Sequence, residues 1–143
     1  MNSFYLTLPM PPSINAMHDY TKRVKGKHQM GVFRSSEYTD WIQYAGIEWR
    51  RQSNFGSLAM LHGRLRAQYV FIFDSDRDQD VNNREKCLSD FLQNKLFEND
   101  CQIDESFHWR RIMRHTPPKV HCWLTEIPDQ RFIDMFNPDE MRI

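Results

Sequence analysis

The sequence has no long apolar run. Nothing in its 143 residues approaches the roughly 20 consecutive apolar residues of a membrane-spanning helix, which excludes a membrane protein of that kind. The first residues alternate apolar and polar and lack a basic stretch leading into an apolar one. No signal peptide is therefore expected, and the expected location is the cytoplasm of a bacterium or of a phage-infected cell. Cysteine is scarce. Cys87, Cys101 and Cys122 are odd in number and far apart, which argues against a disulfide framework or a zinc site. The histidines form no His-x-x-x-His pair, and His108 and His121 are expected to pack or to point to solvent. There is no glycine-rich phosphate loop, which counts against a nucleotide enzyme of that type. There is no EF-hand spacing, which counts against a calcium-binding structural protein. Net charge is missing too: 19 Lys and Arg balance 19 Asp and Glu.

What remains is enough for one domain, residues 1–143, with a real hydrophobic core. Its hydrophobic content of 40% is that of a globular protein. The charge is unevenly distributed. Basic residues gather at Lys22, Arg23, Lys25 and Lys27, at Arg50-Arg51, at Arg64 and Arg66, and at Arg110-Arg111 with Arg114. Acidic residues gather at 74–80, at 98–105 and from Asp129 to Glu140. An acidic pocket rimmed by basic segments suits a metal-dependent nuclease. On charge alone, such clusters are more often an ordinary solvated surface.

The pattern predicts an α+β fold. Phe4, Leu6 and Leu8 alternate with polar residues as a first strand, ended by Pro9, Pro11 and Pro12. Residues 16–34 carry Gly26, Gly31 and many charges without a period, and read as a long, mobile basic loop. Ser35 or Ser36 caps a helix to about Gln52, whose Tyr38, Trp41, Ile42, Ala45 and Trp49 form an apolar stripe. Such aromatics are core residues more often than base-stacking ones. Ala59 to Leu65 begins another strand. Gln68 to Phe73, nearly all apolar, reads as a central strand. A second helix is expected over 84–95. Phe107–Met113 and Val120–Thr125, joined through Thr116-Pro117-Pro118, read as a hairpin. The expected whole is a mixed sheet of four to five strands with two main helices. The C-terminal tail, 128–143, holds Phe132, Ile133, Met135 and Phe136 as a small helix.

The chemistry concentrates between Asp78 and Ile103. In an extended segment, side chains two apart face the same way, so Asp78, Asp80 and Asn82 converge. A helix beginning near Asn83 carries Lys86 and Asp90, four residues apart, on one face, and turns Leu88, Phe91 and Leu92 to a core. A return turn through Glu98-Asn99-Asp100 brings another carboxylate back. Clustered carboxylates repel unless a cation neutralises them. Hard oxygen ligands beside a lysine are what a magnesium site acting on phosphate needs.

The segment resembles the RusA-like Holliday-junction resolvases. Their core motif reads roughly Asp-x-Asp-Asn-x-x-Lys, an Asp four residues later, then Asp-Asp-x-Gln-Ile/Val. Here Asp80-Val81-Asn82-Asn83-Arg84-Glu85-Lys86, Asp90 and Asn99-Asp100-Cys101-Gln102-Ile103 stand in those places. Leu8-Pro9-Met10-Pro11-Pro12-Ser13-Ile14-Asn15 matches the family's opening Leu-Pro-x-Pro-Pro-Ser-x-Asn. The resemblance implies a homodimer that resolves four-way DNA junctions by paired nicks, with Mg2+ as cofactor and Mn2+ able to substitute. It implies Asp80, Lys86 and Asp100 as catalytic residues. Metal ligands would be Asp80 and Asp100, with Asn82 and Asp78 helping. Asn83 would brace the site, and Asp90 is either a ligand or the partner of Lys86. Lys22, Arg23, Lys25, Lys27, Arg110 and Arg111 are the candidate DNA contacts.

Two positions depart from that pattern. Asn82 and Asn99 each replace a carboxylate and remove a negative charge. They keep open a junction-binding protein with weak or no nuclease activity. A shifted alignment, with Asp78 and Asp80 as the Asp-x-Asp pair, places Val81 where the family has Asn and Arg84 where it has Lys.

Overall fold

The computed structural model describes residues 2–13, 18–24, 27–54, 60–77 and 80–132, with the backbone alone over 18–24 and 27–34. Among the described residues, six strands and two α-helices follow one another as β1 (Ser3–Pro9), β2 (His18–Val24), β3 (Lys27–Arg34), α1 (Ser36–Gln52), β4 (Arg64–Phe73), α2 (Asn82–Leu92), β5 (Ile103–Ile112) and β6 (Lys119–Ile127). Four strands make one mixed sheet in the order β1-β6-β4-β5, and β2 and β3 pair separately. This is the expected α+β architecture.

β4 is central because it can be. Leu65, Ala67, Tyr69, Phe71 and Phe73 point to one face and are at most 3% exposed. They join Leu6, Leu8, Val120, Cys122 and Leu124 from the neighbouring strands, and Trp41, Ala45, Leu88, Phe91 and Leu92 from the helices, in one core. The other face is only half covered: Tyr5, Trp123, Gln68 and Phe107 stand side by side across it, with Tyr5 and Trp123 exposed.

Two expectations are corrected. Phe107–Met113 and Val120–Thr125 do not form a hairpin. β4 lies between them, antiparallel to β6 and parallel to β5. The apolar β4 needs neighbours on both edges, and β4-α2-β5 supplies one by a helical crossover. Residues 16–34 are not one irregular loop: His18–Val24 pairs antiparallel with Lys27–Arg34. Their many charges conceal the alternation by which a strand is recognised. The tail helix proposed around Ile133 to Phe136 lies outside the described residues.

Local chemistry explains the helices and the proline segment. Ser35 accepts a hydrogen bond from the Tyr38 backbone nitrogen and caps α1, as such residues do. The Trp41 indole donates to the Pro9 carbonyl at 2.9 Å, and its ring meets Phe91 edge-on at 5.2 Å. Trp41 and Trp49 are both buried, so they belong to the core. Arg84 donates to the Pro11 carbonyl, which ties the proline-rich opening motif to α2. Among the described residues, no helix is long and apolar enough to cross a membrane.

Trp41→Phe removes the bond to Pro9 and part of the ring. It should lower the unfolding free energy by about 1–2 kcal/mol, read as an earlier urea midpoint with an unchanged slope.

Candidate active site

α2 begins at Asn82, one to two residues earlier than the sequence suggests, for a visible reason. The Asp80 carboxylate accepts from the Asn83 backbone nitrogen at 3.2 Å and from the Asn83 side-chain amide. That caps the first turn, where negative charge is favoured. Asn82 therefore stands on the helix rather than in an extended segment. The two-residue alternation of a strand therefore does not bring Asn82 and Asp80 to one side, and Asp78 lies outside the described residues.

From Asn82 the helix repeats polar residues every four positions: Asn82, Lys86 and Asp90 share one face. The Lys86 ammonium donates to Asp90 Oδ1 at 2.7 Å and lies 4.0 Å from Asp100 Oδ2. The hydrogen bond to Asp90 raises the Lys86 pKa above its ordinary value; partial burial opposes this, and the charges of Asp90 and Asp100 add to it. Lys86 is thus held cationic between two carboxylates.

Asp100 opens a 3-10 turn, Asp100–Gln102, that leads into β5. Asn99 caps this turn by accepting from the Cys101 nitrogen at 3.0 Å. Gln102 fastens it to the sheet. Its carbonyl accepts from the Glu98 and Asn99 nitrogens at 2.9 and 3.0 Å, and its amide donates to the Leu61 and Gly63 carbonyls, both at 3.0 Å. Every hydrogen-bonding valence of the side chain is used.

β5 then carries two side chains back to the start of α2. His108 Nδ1 is 3.2 Å from Asn82 Oδ1, and His108 Nε2 is 3.0 Å from Ser106 Oγ. The ring packs on Tyr69 at 5.7 Å and on Phe71 at 6.3 Å. Burial pushes the His108 pKa below its ordinary value, with the Glu85 charge opposing.

The family model for endodeoxyribonuclease RusA matches residues 9–122. The chain belongs to this family. It is accordingly a nuclease of the Holliday-junction resolvase class, whose members act on branched DNA. No curated protein matches the chain significantly.

The structure gathers the RusA-like residues into three adjoining groups along α2: Asp80 with Asn83, Asn82 with His108 and Ser106, and Lys86 with Asp90 and Asp100. Among the described residues, no three His, Cys, Asp or Glu side chains meet in a metal-holding group. The donors suit a hard divalent cation in kind, being carboxylate and amide oxygens beside a helix N-terminus. In this arrangement each carboxylate is engaged by a neighbour: Asp80 by Asn83, Asp90 and Asp100 by Lys86.

The basic candidates are scattered. Lys22 and Arg23 lie on β2 and Lys27 begins β3, while Lys25 lies outside the described residues. Arg110 and Arg111 point to opposite faces of the sheet. Arg110, opposite buried Phe71, donates to the Arg77 carbonyl at 2.5 Å and sits over the Phe73 ring. Arg111 lines a shallow 370 Å³ hollow on the open face with Gln68, Val70, Trp109 and Trp123.

Sequence reading missed the position of His108 beside Asn82 and the work of Gln102. Gln102 had a signal, its place in the closing motif. His108 had none, because only the pairing of β5 with β4 brings it near.

Gln102→Leu keeps the size but strands the buried Leu61 carbonyl and three partly buried backbone groups, a fully buried group being worth about 1–3 kcal/mol when unsatisfied. Stability should fall by at least about 2 kcal/mol in denaturant titration. An unchanged midpoint would show that the turn holds without it.

Proposed function

We propose that this RusA-family chain is a magnesium-dependent endonuclease that resolves four-way junctions by paired symmetric nicks as a homodimer, with Mn2+ able to replace Mg2+. The observation that carries the reading is Lys86, fixed as a cation between Asp90 and Asp100 on the helix face that begins at Asn82. A junction has approximate two-fold symmetry, and a two-fold dimer sets one site on each strand to be cut.

Asp80, Asp100 and Asn82 are the residues that would hold the cation, with Asp78 as a further candidate. When bound, it supplies charge neutralisation at the scissile phosphate and acidifies an attacking water. Lys86 positions the phosphate and opposes the charge that builds on its oxygens. Asp90 holds the lysine in place, and Asn83 holds the Asp80 carboxylate. The basic residues on the hairpin and Arg111 supply phosphate contacts.

A labelled four-way junction decides the matter. Paired nicks should appear with Mg2+ or Mn2+ and disappear with chelator. Junction binding without cutting in either metal would replace this reading with that of a binding protein. Asp80→Asn and Asp100→Asn should abolish cleavage and leave binding intact or tighter, because each change also relieves repulsion of DNA phosphates. Lys86→Ala should slow cleavage by about 10²-fold or more, without rescue by added metal.

Junction affinity should also fall steeply with salt, each neutralised phosphate adding about one unit to the log–log slope. Charge reversal at Lys22, Arg23, Lys27 and Arg111 should flatten that slope. The same slope in the variant would remove these residues from the interface.

A further inference from the structure

The half-covered face of the sheet carries two groups of aromatic rings. On the β1–β6 side, Trp123 meets Tyr5 at 4.9 Å and His121 at 6.0 Å. On β5, Phe107 and Trp109 stack at 6.0 Å. β4 runs between the two groups. β5 and β6 each lie one strand away from it, so their backbones are about 10 Å apart. Gln68 and Val70 form the floor of the gap, and with Trp109, Arg111 and Trp123 they line the 370 Å³ hollow. That width leaves room for a flat ring system laid on Val70. Tyr5 and Trp123 are exposed, and covering rings of this size is favourable.

Charge is unevenly placed along this face. Strand pairing sets Lys119 beside Ile72 and Ile72 beside Arg111, so one row holds two cations. Arg111 is exposed. It gives the Arg110 carbonyl a hydrogen bond at 2.8 Å, from a guanidinium with five N–H groups. Among the described residues, neither Lys119 nor Arg111 is in an ion pair. At the other end of β5, Asp104 and Glu105 are held by Arg64 and Arg66. A second copy laid on this face therefore brings no free carboxylate from β5 to the two cations. Aromatic rings beside unpaired cations on an open sheet are the chemistry that takes single-stranded nucleic acid: bases stack on the rings, and phosphates meet the cations.

We propose that this face binds unpaired nucleotides of branched DNA: one base stacks in the hollow between Trp109 and Trp123, Gln68 meets its polar edge, and Arg111 and Lys119 hold the adjoining phosphates. The proposal rests on the DNA-directed reading given above, in which Arg111 is a phosphate contact, and adds the bases to it. β5 is the edge strand and turns alternate residues to opposite faces. His108 thus meets Asn82 on one side while Trp109 lines the hollow on the other. A DNA strand that leaves the active site around this edge reaches the hollow. Every base has a flat face to stack, so the site selects unpaired over paired DNA rather than one sequence over another.

The test is titration of the full-length protein with an oligothymidylate of about eight nucleotides, read by tryptophan fluorescence, with the oligomeric state followed by light scattering. Chelator is present throughout, which separates the readout from metal-dependent cleavage. The oligothymidylate should quench the fluorescence, and a duplex of the same length, whose bases are already stacked, should not. Trp123→Ala should weaken binding about fivefold to a hundredfold, the effect of losing one stacked base, whereas Trp123→Phe keeps a ring and most of the affinity. Arg111→Gln should lower the log–log salt slope by about 0.7. No quenching in the wild type, equal quenching by the duplex, equal affinity in Trp123→Ala and Trp109→Ala, or an unchanged slope in Arg111→Gln overturns the proposal. So does a Trp123→Ala protein that falls from dimer to monomer yet binds the oligothymidylate as the wild type does, because the face then belongs to a second copy. These outcomes leave metal-dependent junction cleavage standing. A wild type that binds the oligothymidylate but cuts no junction in either metal overturns that reading alone.

Discussion

The site depends on the side chain of one buried glutamine. Asp100 lies in a turn between α2 and β5, a place where a chain ordinarily has freedom to move. Gln102 removes that freedom by bonding to the Glu98 and Asn99 nitrogens on one side and to the Leu61 and Gly63 carbonyls on the other. The first pair closes the turn, and the second fixes it to the segment entering β4. The bond to the Leu61 carbonyl is buried and the other three are partly so, so breaking them leaves polar groups that water replaces only in part. The carboxylate of Asp100 is thereby placed opposite Lys86 by the fold rather than by the attraction between the two.

The two departures from the RusA pattern then have different physical meanings. Asn99 faces backbone. Its oxygen accepts from the Cys101 nitrogen, a capping task that asparagine and aspartate perform about equally well. Replacing aspartate by asparagine there keeps the cap. Asn82 faces His108 and the start of α2, where its oxygen is among the donors that chemistry would use. A count of missing carboxylates treats the two positions alike, but their side chains point to different tasks.

Much of this arrangement is legible in the sequence because it is local. Lys86 and Asp90 meet because four residues make a helical turn. Leu88, Phe91 and Leu92 mark the opposite side of that helix, and Ser35 announces the start of α1. What sequence reading lost is set by distant pairing. Thr116-Pro117-Pro118 is a good turn, and two strand-like segments flank it, so a hairpin was the natural expectation. The stronger demand came from β4, whose alternate residues from Leu65 to Phe73 are all buried and which required a partner on each edge. Seating β5 beside β4 in parallel register is what carries His108 and Ser106 toward Asn82. The β2–β3 hairpin was hidden for another reason: Val24 pairs with Lys27, but charged residues on both sides obscure the period.

The Lys86–Asp90 pair shows how a function can be argued from an interaction that does little for stability. Both side chains are more than a third accessible to water, at 48% and 35%. An exposed pair one helical turn apart typically contributes only about 0.3–0.5 kcal/mol. A core residue such as Phe97, fully buried, matters several times more when truncated. Stability therefore does not account for the placement of a lysine between Asp90 and Asp100 at the edge of the molecule. The arrangement has a different consequence. Asp90 restrains the lysine without burying it, so the ammonium keeps its charge and its access to solvent. A phosphate that approaches this face meets a cation already oriented, and need not order a free side chain on arrival.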